Sequence, residues 1–207
     1  MADRRQSWLL VMIPKILVFA GSIRAGAYSG KTADLAQRGL AEQGADVTRI
    51  SLADYPLPIM DEDLEAEKGI PDNAFKLARL IASHDGVLIA TPEYNGSMPP
   101  LLKNVIDWVS RIGKDGGKPL KPYPGKAMAI CSSSDGHFAG IRSAAHLRAV
   151  LAHIGCEVIA PQCSVPYGAK AFDEEGNFVE ERPKKAMEKV CGTLIERAVL
   201  LSTRVEH

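Results

Sequence analysis

Short apolar runs alternate along this chain with segments whose apolar residues recur at helical spacing. Residues 15–20, 86–90 and 126–131 are each a short, mostly apolar run with the length of a buried strand. Residues 101–109 repeat leucine, valine and isoleucine every three to four positions behind a pair of prolines, which favours an amphipathic helix. This alternation predicts a parallel sheet that is covered by helices on both faces.

The whole pattern can be divided into strands, helices and two long loops. Strands are predicted over residues 15–20, 46–51, 86–90, 126–131 and 157–160, and helices over 31–42, 72–83, 101–109, 139–154 and 183–201. Residues 52–71 are Pro-rich and acidic, with a solvated acidic run at 61–63, and residues 113–125 are dense in Gly and Pro, so both are predicted to be irregular loops. The order of elements indicates an α/β, flavodoxin-like three-layer sandwich whose five-stranded parallel sheet has the strand order 2-1-3-4-5.

Composition and length favour a single domain. The chain has 207 residues, of which 46% are hydrophobic, and we predict one domain over residues 14–207 behind a loose extension at residues 1–13. The apolar run at residues 8–13 is too short for an export signal or a membrane span, and Met12 is an alternative start. The 25 basic residues balance the 25 acidic ones, which argues against nucleic acid or an anionic membrane as a partner.

The cysteine and histidine spacings do not favour a metal site. Cys131, Cys156, Cys163 and Cys191 are scattered, without a Cys-x-x-Cys pair or close histidine partners. Reduced, buried thiols in a cytoplasmic protein are therefore predicted, with no bound metal.

The loop after the first predicted strand, residues 21–32, is rich in Gly, Ser and Thr and carries Arg24. Backbone N–H groups at a helix start, together with hydroxyls and an arginine, can cradle a phosphate. The loop is one residue short of a Walker motif, and it lacks the Gly-x-Gly-x-x-Gly fingerprint directly after the strand. Taken alone, it is equally consistent with a turn that only starts a helix.

Two further polar loops follow the third and fourth predicted strands. Residues 92–97 offer Tyr94 and Asn95 in a loop bounded by prolines, which suits hydrogen bonds to the edge of a planar heterocycle. Residues 132–140 combine small hydroxyls with glycines, so that a ring can approach the main chain closely. In a sheet of order 2-1-3-4-5 the carboxyl ends of strands one, three and four adjoin one crevice, where we expect the three loops to meet.

The motifs of these loops, taken together, resemble those of one family. Gly-Ser-Ile-Arg at residues 21–24, Pro-Glu-Tyr-Asn-Gly-Ser at 92–97, Lys-Asn-Val-Ile-Asp-Trp at 103–108 and Ser-Ser-Ser-Asp-Gly at 132–136 are similar to the motifs of the NADPH-dependent FMN reductases. That family includes bacterial chromate and quinone reductases and relatives of the flavin-dependent azoreductases. The resemblance runs from about residue 15 to about residue 200, and it implies FMN as cofactor and NADPH or NADH as co-substrate.

The resemblance also implies roles for particular residues. The FMN phosphate would be held by Ser22, Arg24 and Ser29 with the amides near Gly30 and Lys31, the flavin ring would be lined by Pro92, Glu93, Tyr94 and Asn95, and its other edge would be closed by Ser132, Ser134 and Gly136. Ala27 and Ser29 stand where relatives usually have Ser and Asn, which implies weaker binding of the phosphate unless Lys31 and Thr32 compensate.

By the same resemblance the chain is an FMN-dependent NAD(P)H oxidoreductase. Electrons would pass by a ping-pong mechanism to quinones, free flavin, azo compounds or oxyanions such as chromate, with no catalytic side chain because the flavin carries the chemistry. A homodimer or homotetramer is expected. The alternatives are a flavodoxin-like electron carrier or redox sensor without NAD(P)H turnover, which is disfavoured by the neutral charge, and a protein that binds no flavin.

Overall fold

The structure is a computed structural model that describes residues 12–202. Residues 1–11, which make up most of the predicted N-terminal extension, lie outside the described residues. The described chain forms seven strands, β1 Lys15–Ala20, β2 Asp46–Ile50, β3 Gly86–Pro92, β4 Lys114–Asp115, β5 Lys118–Pro119, β6 Ala127–Ser133 and β7 Glu157–Val165. It also forms six α-helices, α1 Tyr28–Glu42, α2 Glu62–Lys68, α3 Asp72–Ser83, α4 Pro100–Ser110, α5 Ile141–His153 and α6 Glu181–Ser202.

Five of the strands form one parallel sheet in the order β2-β1-β3-β6-β7. Counting only the strands of this sheet gives 2-1-3-4-5, so the predicted flavodoxin-like fold is confirmed. The central strands are apolar on both faces because both faces are covered. One core cluster contains Trp108 with side chains of α3, α4 and α5, and the other contains Leu40 with side chains of α1 and α6.

The register of the sheet brings the ends of the central strands to the same level. Ala20 lies opposite Ala90, Thr91 opposite Ser132, and Pro92 opposite Ser133. The loops that follow β1, β3 and β6 therefore begin side by side at the carboxyl edge, where open α/β sheets bind ligands.

The prediction of an irregular loop over residues 52–71 is wrong, because Glu62–Lys68 form α2. Asp61 caps this helix: its Oδ1 accepts hydrogen bonds from two backbone N–H groups at 2.8 and 3.2 Å. The acidic residues that follow lie in the first turn, where negative charge interacts favourably with the helix dipole. The acidic run at residues 61–63 is thus a helix start rather than a solvated loop.

The end of β7 and the segment 113–125 also differ from the prediction. Strand β7 continues to Val165 rather than ending at residue 160. Pro161 does not end the strand, because it lies where the register shifts between Met128 and Ile130 of β6. A proline is tolerated at such an irregularity on an edge strand, since its missing N–H breaks no essential ladder bond. In the predicted loop at 113–125, β4 and β5 form a small antiparallel hairpin.

Among the helices of residues 12–202, none has both the length and the apolar character needed to cross a bilayer.

Candidate functional site

The three predicted loops meet at a cavity of about 170 Å³ at the carboxyl edge of the sheet. It is lined by Ser22, Arg24, Ala27, Tyr28 and Ser29 from the first loop, by Pro92, Glu93 and Tyr94 from the second, and by Ser133, Ser134 and Asp135 from the third.

Seven of the residues predicted from the sequence line this cavity, and five do not. Those that line it are Ser22, Arg24, Ser29, Pro92, Glu93, Tyr94 and Ser134, and those that do not are Gly30, Lys31, Asn95, Ser132 and Gly136. Tyr28, Ser133 and Asp135 are not among the residues predicted from the sequence, and Ala27 enters the prediction only as a departure from the family pattern.

Helix α1 begins at Tyr28, three residues earlier than predicted, and no side chain caps it. Its N-cap residue is Ala27, whose side chain has no hydrogen-bonding group. The Lys31 N–H already donates to the Ala27 carbonyl at 3.1 Å, and the Thr32 hydroxyl donates to the Tyr28 carbonyl at 2.8 Å. An uncapped helix start of this kind presents N–H groups and positive partial charge to an anion.

The side chains of Lys31 and Thr32 are both engaged away from the cavity. The Lys31 ammonium lies 5.5 Å from the centre of the Phe172 ring, and the Thr32 hydroxyl is buried against its own helix. In this arrangement these two side chains therefore do not compensate for the hydroxyl that is missing at Ala27.

Two serine hydroxyls in the cavity wall have no hydrogen-bond partner. Among the described residues, the buried side-chain polar atoms in this state are the hydroxyls of Ser29 and Ser133, whose residues are 1% and 2% exposed. A buried polar group without a partner costs about 1–3 kcal/mol. Both serine residues line the cavity, so their hydroxyls are candidates to bond a polar ligand there.

Ser132, which was predicted as a site residue, differs from its neighbour Ser133, which was not. The Ser132 hydroxyl donates to the Ala139 carbonyl at 2.8 Å and lies 3.0 Å from the Ser164 hydroxyl. It ties β6 to the start of α5 and to β7, and its hydrogen bonds are already made.

Arg24 supplies a positive charge at the mouth of the cavity. Its guanidinium donates to the Ala25 carbonyl at 3.3 Å and lies 5.9 Å from the centre of the Tyr28 ring. The backbone N–H of Arg24 donates to the Ser22 hydroxyl at 3.3 Å. The loop thus holds a largely exposed cation beside the uncapped helix start, an arrangement that suits a phosphate.

Glu93 joins the second loop to α5. Its carboxylate accepts hydrogen bonds from the Arg142 guanidinium, with the Nε at 2.8 Å, and from the Arg142 backbone N–H at 3.2 Å. The N-cap of α5 is Gly140, which has no side chain to offer, so a carboxylate from another loop caps this helix. Hydroxyls of Thr91 and Ser143, 2.9 Å apart, reinforce the same junction.

Asn95 lies in a tight turn rather than in the cavity wall. Asn95 and Gly96 both have positive φ, 51° and 79°, and Tyr94 and Ser97 exchange backbone hydrogen bonds across them at 2.9 and 3.1 Å. Asn-Gly is the sequence that such a two-residue turn favours. A flavin contact by Asn95 stays a prediction.

A larger groove of about 480 Å³ lies between α3 and the β4–β5 hairpin. Two of its charged side chains are already paired, because the Arg79 guanidinium donates to both carboxylate oxygens of Asp115. The same hydrogen bonds lower the pKa of Asp115. Neither of the two unpartnered hydroxyls lies there, so the smaller cavity is the candidate site. Within residues 12–202, no three His, Cys, Asp or Glu side chains form a group that could hold a metal ion.

The fold and the site define a flavodoxin-like α/β protein whose crevice suits a phosphorylated, planar ligand. The sequence model of one family, NADPH-dependent FMN reductase, matches residues 14–170, and the chain belongs to this family.

Individual relatives agree with this assignment. The chain is 33% identical over 177 residues to an NAD(P)H-dependent FMN reductase of Pseudomonas aeruginosa, a match that covers 84% of this chain and 90% of the relative. It is 38% identical over 146 residues to a quinone reductase of Escherichia coli, covering 70% and 73%. The solved structure of FerB, a flavoenzyme NAD(P)H:(acceptor) oxidoreductase from Paracoccus denitrificans, matches with a TM-score of 0.73 at 27% identity, covering 90% of this chain and 97% of that one. The resemblance seen in the motifs is confirmed.

The cavity fits FMN, the cofactor that the family assignment gives. An uncapped helix start, an arginine and the Ser29 hydroxyl are suitable donors to a phosphate. The Ser133 hydroxyl stands across the cavity on the third loop, where it could bond another polar part of the cofactor. The assignment of each residue to a part of FMN remains a prediction.

Proposed function

We propose that this chain is an FMN-dependent NAD(P)H oxidoreductase that passes electrons to quinones and related small acceptors. The observation that carries the proposal is the pair of buried, unpartnered hydroxyls in a cavity beside the uncapped start of α1. Family membership and the names of the relatives, FMN reductase and quinone reductase, support the same activity.

The first loop would hold the phosphate end of the cofactor. The Ser29 hydroxyl and the backbone N–H groups at the start of α1 would donate to phosphate oxygens, with Ser22 and Gly30 contributing from either side. The Arg24 guanidinium would neutralise part of the charge. Each charge-assisted hydrogen bond of this kind contributes about 1.5–3 kcal/mol.

The second and third loops would hold and orient the ring. Pro92, Glu93 and Tyr94 line one side of the cavity, and Ser133 and Ser134 line the other. Gly136 lies a little further along the third loop, where a missing side chain lets a ring approach the main chain. When bound, FMN supplies hydride and electron transfer, and the protein supplies position and electrostatics.

No side-chain acid–base pair is proposed for the reaction. The carboxylates that line the cavity are Glu93 and Asp135. Glu93 is engaged by Arg142, and Asp135 accepts from the Ala169 N–H at 3.1 Å. Both carboxylates therefore stabilise loops, and the electron-transfer chemistry is left to the cofactor.

An electron carrier without NAD(P)H turnover is the alternative. The relatives are named as reductases, and the equal numbers of acidic and basic residues differ from the strong acidity expected of a carrier. Both observations support the reductase.

The assembly and location of the protein belong to the same proposal. We infer a single domain over residues 14–207, a homodimer or homotetramer as implied by the family resemblance, and a cytoplasmic location. All four cysteines are free and buried, which suits a reducing compartment.

Steady-state kinetics would test the proposed function. Purified protein should carry flavin absorption and should oxidise NADPH or NADH when a quinone is added, with parallel double-reciprocal plots that indicate a ping-pong mechanism. Flavin absorption without turnover would support the carrier, and absence of both would contradict flavin chemistry altogether.

A further inference from the structure

Three ring side chains, His137, Phe138 and Tyr167, stand together and are defined here as the rim cluster. The ring centres of His137 and Phe138 are 5.6 Å apart at an interplanar angle of 67°, and those of His137 and Tyr167 are 6.0 Å apart at 49°. The Tyr167 hydroxyl lies 3.1 Å from His137 Nδ1. Phe138 is nonetheless 60% exposed and Tyr167 52% exposed, so these rings contribute little to the core.

The rim cluster is fastened to the wall of the cavity on one side through the turn after β7. The Gly168 N–H donates to the Ser134 carbonyl at 3.0 Å, and the Ala169 N–H donates to the Asp135 carboxylate at 3.1 Å. Ser134 and Asp135 both line the cavity. Tyr167 therefore stands next to the third loop, close to residues that line the cavity.

On the other side the cluster is fastened through Arg142. Its guanidinium lies 5.0 Å from the centre of the Phe138 ring and pairs with Glu93, which also lines the cavity. Phe138 is thus held beside the second loop. The rim cluster is therefore connected on both sides to residues that line the cavity, although its own three rings do not line it.

The backbone at Tyr167 adopts an unfavourable conformation. Its φ is 51°, a left-handed conformation that is unfavourable for a bulky residue. Residue 168 could not carry the aromatic ring in place of Tyr167, because a Cβ on Gly168 would lie 2.4 Å from the ring of Tyr28. Within the described chain, the other non-glycine residues with positive φ are Asn95 and Ala139, which lie in the second and third loops.

We propose that the rim cluster is a subsite for the electron acceptor and that it selects flat, uncharged aromatic acceptors, namely quinones. This inference rests on the proposed function. Offset or edge-to-face contact with exposed rings favours a planar ring. Beside the rim cluster, the Arg142 guanidinium is already paired with Glu93, and the Asp135 carboxylate is bonded to the Ala169 N–H, so these two side chains offer an oxyanion little attraction.

The overall reaction balances without a further reagent. NAD(P)H supplies a hydride, which carries two electrons and one proton, and solvent supplies the second proton. The quinone is reduced to the hydroquinone, and NAD(P)H is oxidised to NAD(P)+.

Tyr167→Gly and Phe138→Ala, assayed with two acceptors, would test the subsite. Menadione serves as the quinone, and ferricyanide serves as a small hydrophilic anion that has no aromatic ring. In a ping-pong reaction kcat/KM for an acceptor reports only the half-reaction in which that acceptor is reduced. We expect each substitution to lower kcat/KM for menadione by about tenfold and to change kcat/KM for ferricyanide by less than about twofold.

The choice of glycine at position 167 guards against misfolding, because glycine adopts positive φ without strain. Tyr167→Phe keeps the ring and should retain most of the activity with menadione. Val179→Ala serves as a matched control, since Val179 is also 60% exposed but is not part of the rim cluster. Its two kcat/KM values should both match those of the wild type.

Two results would contradict the proposal, and they can be distinguished. If the wild type reduces both acceptors but Tyr167→Gly and Phe138→Ala leave the ratio of menadione to ferricyanide kcat/KM unchanged, the subsite is wrong and the reductase function stands. If the wild type binds FMN but oxidises NADPH with neither acceptor, the proposed function is wrong and the subsite fails with it.

Discussion

At the scale of single residues, Ser29 is placed to bind the cofactor, and this placement lowers the stability of the flavin-free protein. Its hydroxyl is buried without a partner at the start of α1. Ser29→Ala should therefore stabilise the flavin-free protein by about 1 kcal/mol, because the unsatisfied hydroxyl is replaced by a hydrogen atom. The same substitution should weaken FMN binding by about tenfold or more, since a hydrogen bond to a charged group is lost. Urea unfolding and fluorescence titration with FMN would measure the two effects.

Ser132→Ala is the matched control for this prediction. The Ser132 hydroxyl is also buried, but its hydrogen bonds to Ala139 and Ser164 are already made. Its removal should destabilise the protein by about 1 kcal/mol and leave FMN affinity unchanged. If Ser29→Ala destabilises the flavin-free protein as Ser132→Ala does, the interpretation of Ser29 is wrong.

The choice among the serines of the third loop shows the limit of sequence reasoning at this scale. The sequence places Ser132, Ser133 and Ser134 together but does not say where β6 ends. In the structure β6 continues to Ser133, and successive side chains of a strand point to opposite faces. Ser132 therefore bonds to neighbouring elements, and Ser133 lines the cavity. This difference can be predicted only when the residue at which β6 ends is known.

At the scale of elements, Gly168 and Tyr28 are packed against each other between the turn after β7 and the start of α1. A Cβ at position 168 would lie 2.4 Å from the Tyr28 ring. Gly168→Ala should therefore cost about 1–3 kcal/mol by overpacking. In a Tyr28→Ala background the same substitution should cost at least about 1 kcal/mol less, because the clashing ring is gone. Urea unfolding of the four proteins gives the coupling, and strictly additive effects would show that the two residues do not clash.

The junction between Glu93 and α5 leads to a separate prediction. The Glu93 side chain is only 9% exposed and bonds to both the guanidinium and the backbone N–H of Arg142. Glu93→Ala should lower the free energy of unfolding by about 2 kcal/mol, because a cap and a charge-assisted pair are lost together.

Arg142→Ala provides the comparison for Glu93. The Arg142 side chain is 53% exposed, and Glu93 would keep its bond to the backbone N–H. A loss of stability smaller than that of Glu93→Ala is expected. A Glu93→Ala variant as stable as the wild type would contradict the capping role.

The elements of the sheet were predictable because periodicity reports burial directly. Strands β1, β3 and β6 are continuous apolar runs buried on both faces, and the amphipathic stripe of α4 is unambiguous. Helix α2 was missed because it buries no residue and is defined by a cap at Asp61 rather than by an apolar face. The end of β7 was missed because a proline on an edge strand does not stop it.

At the scale of the whole molecule, buried thiols make stability depend on alkaline pH. Burial raises the pKa of Cys156 and of Cys191 to about 12. A thiol of the unfolded chain has a pKa of about 8.5. Between about pH 8.5 and about pH 12 the unfolded chain has released thiol protons that the native protein retains. The contribution of these thiols to the free energy of unfolding is therefore fully present below about pH 8.5 and falls as the pH rises.

One lysine acts in the opposite direction. Burial lowers the pKa of Lys126, so the unfolded chain binds more protons there, and this group alone would raise stability with pH. The raised pKa values of Cys156 and Cys191 lower stability at alkaline pH, and the lowered pKa of Lys126 raises it. The pKa of Cys131 is also raised, so more groups act to lower stability than to raise it. We expect a lower urea midpoint at about pH 9.5 than at about pH 7.5, with a smaller difference in Cys156→Ala. An equal or higher midpoint at alkaline pH would contradict this balance.

The central claim is that the three loops hold a flavin by its phosphate. Calorimetric titration of flavin-free protein with FMN and with riboflavin tests this most directly, because the two ligands share the ring and differ in the phosphate. The account predicts one FMN per chain, bound at least about tenfold more tightly than riboflavin. Equal affinities for the two ligands, or no binding of FMN, would contradict it.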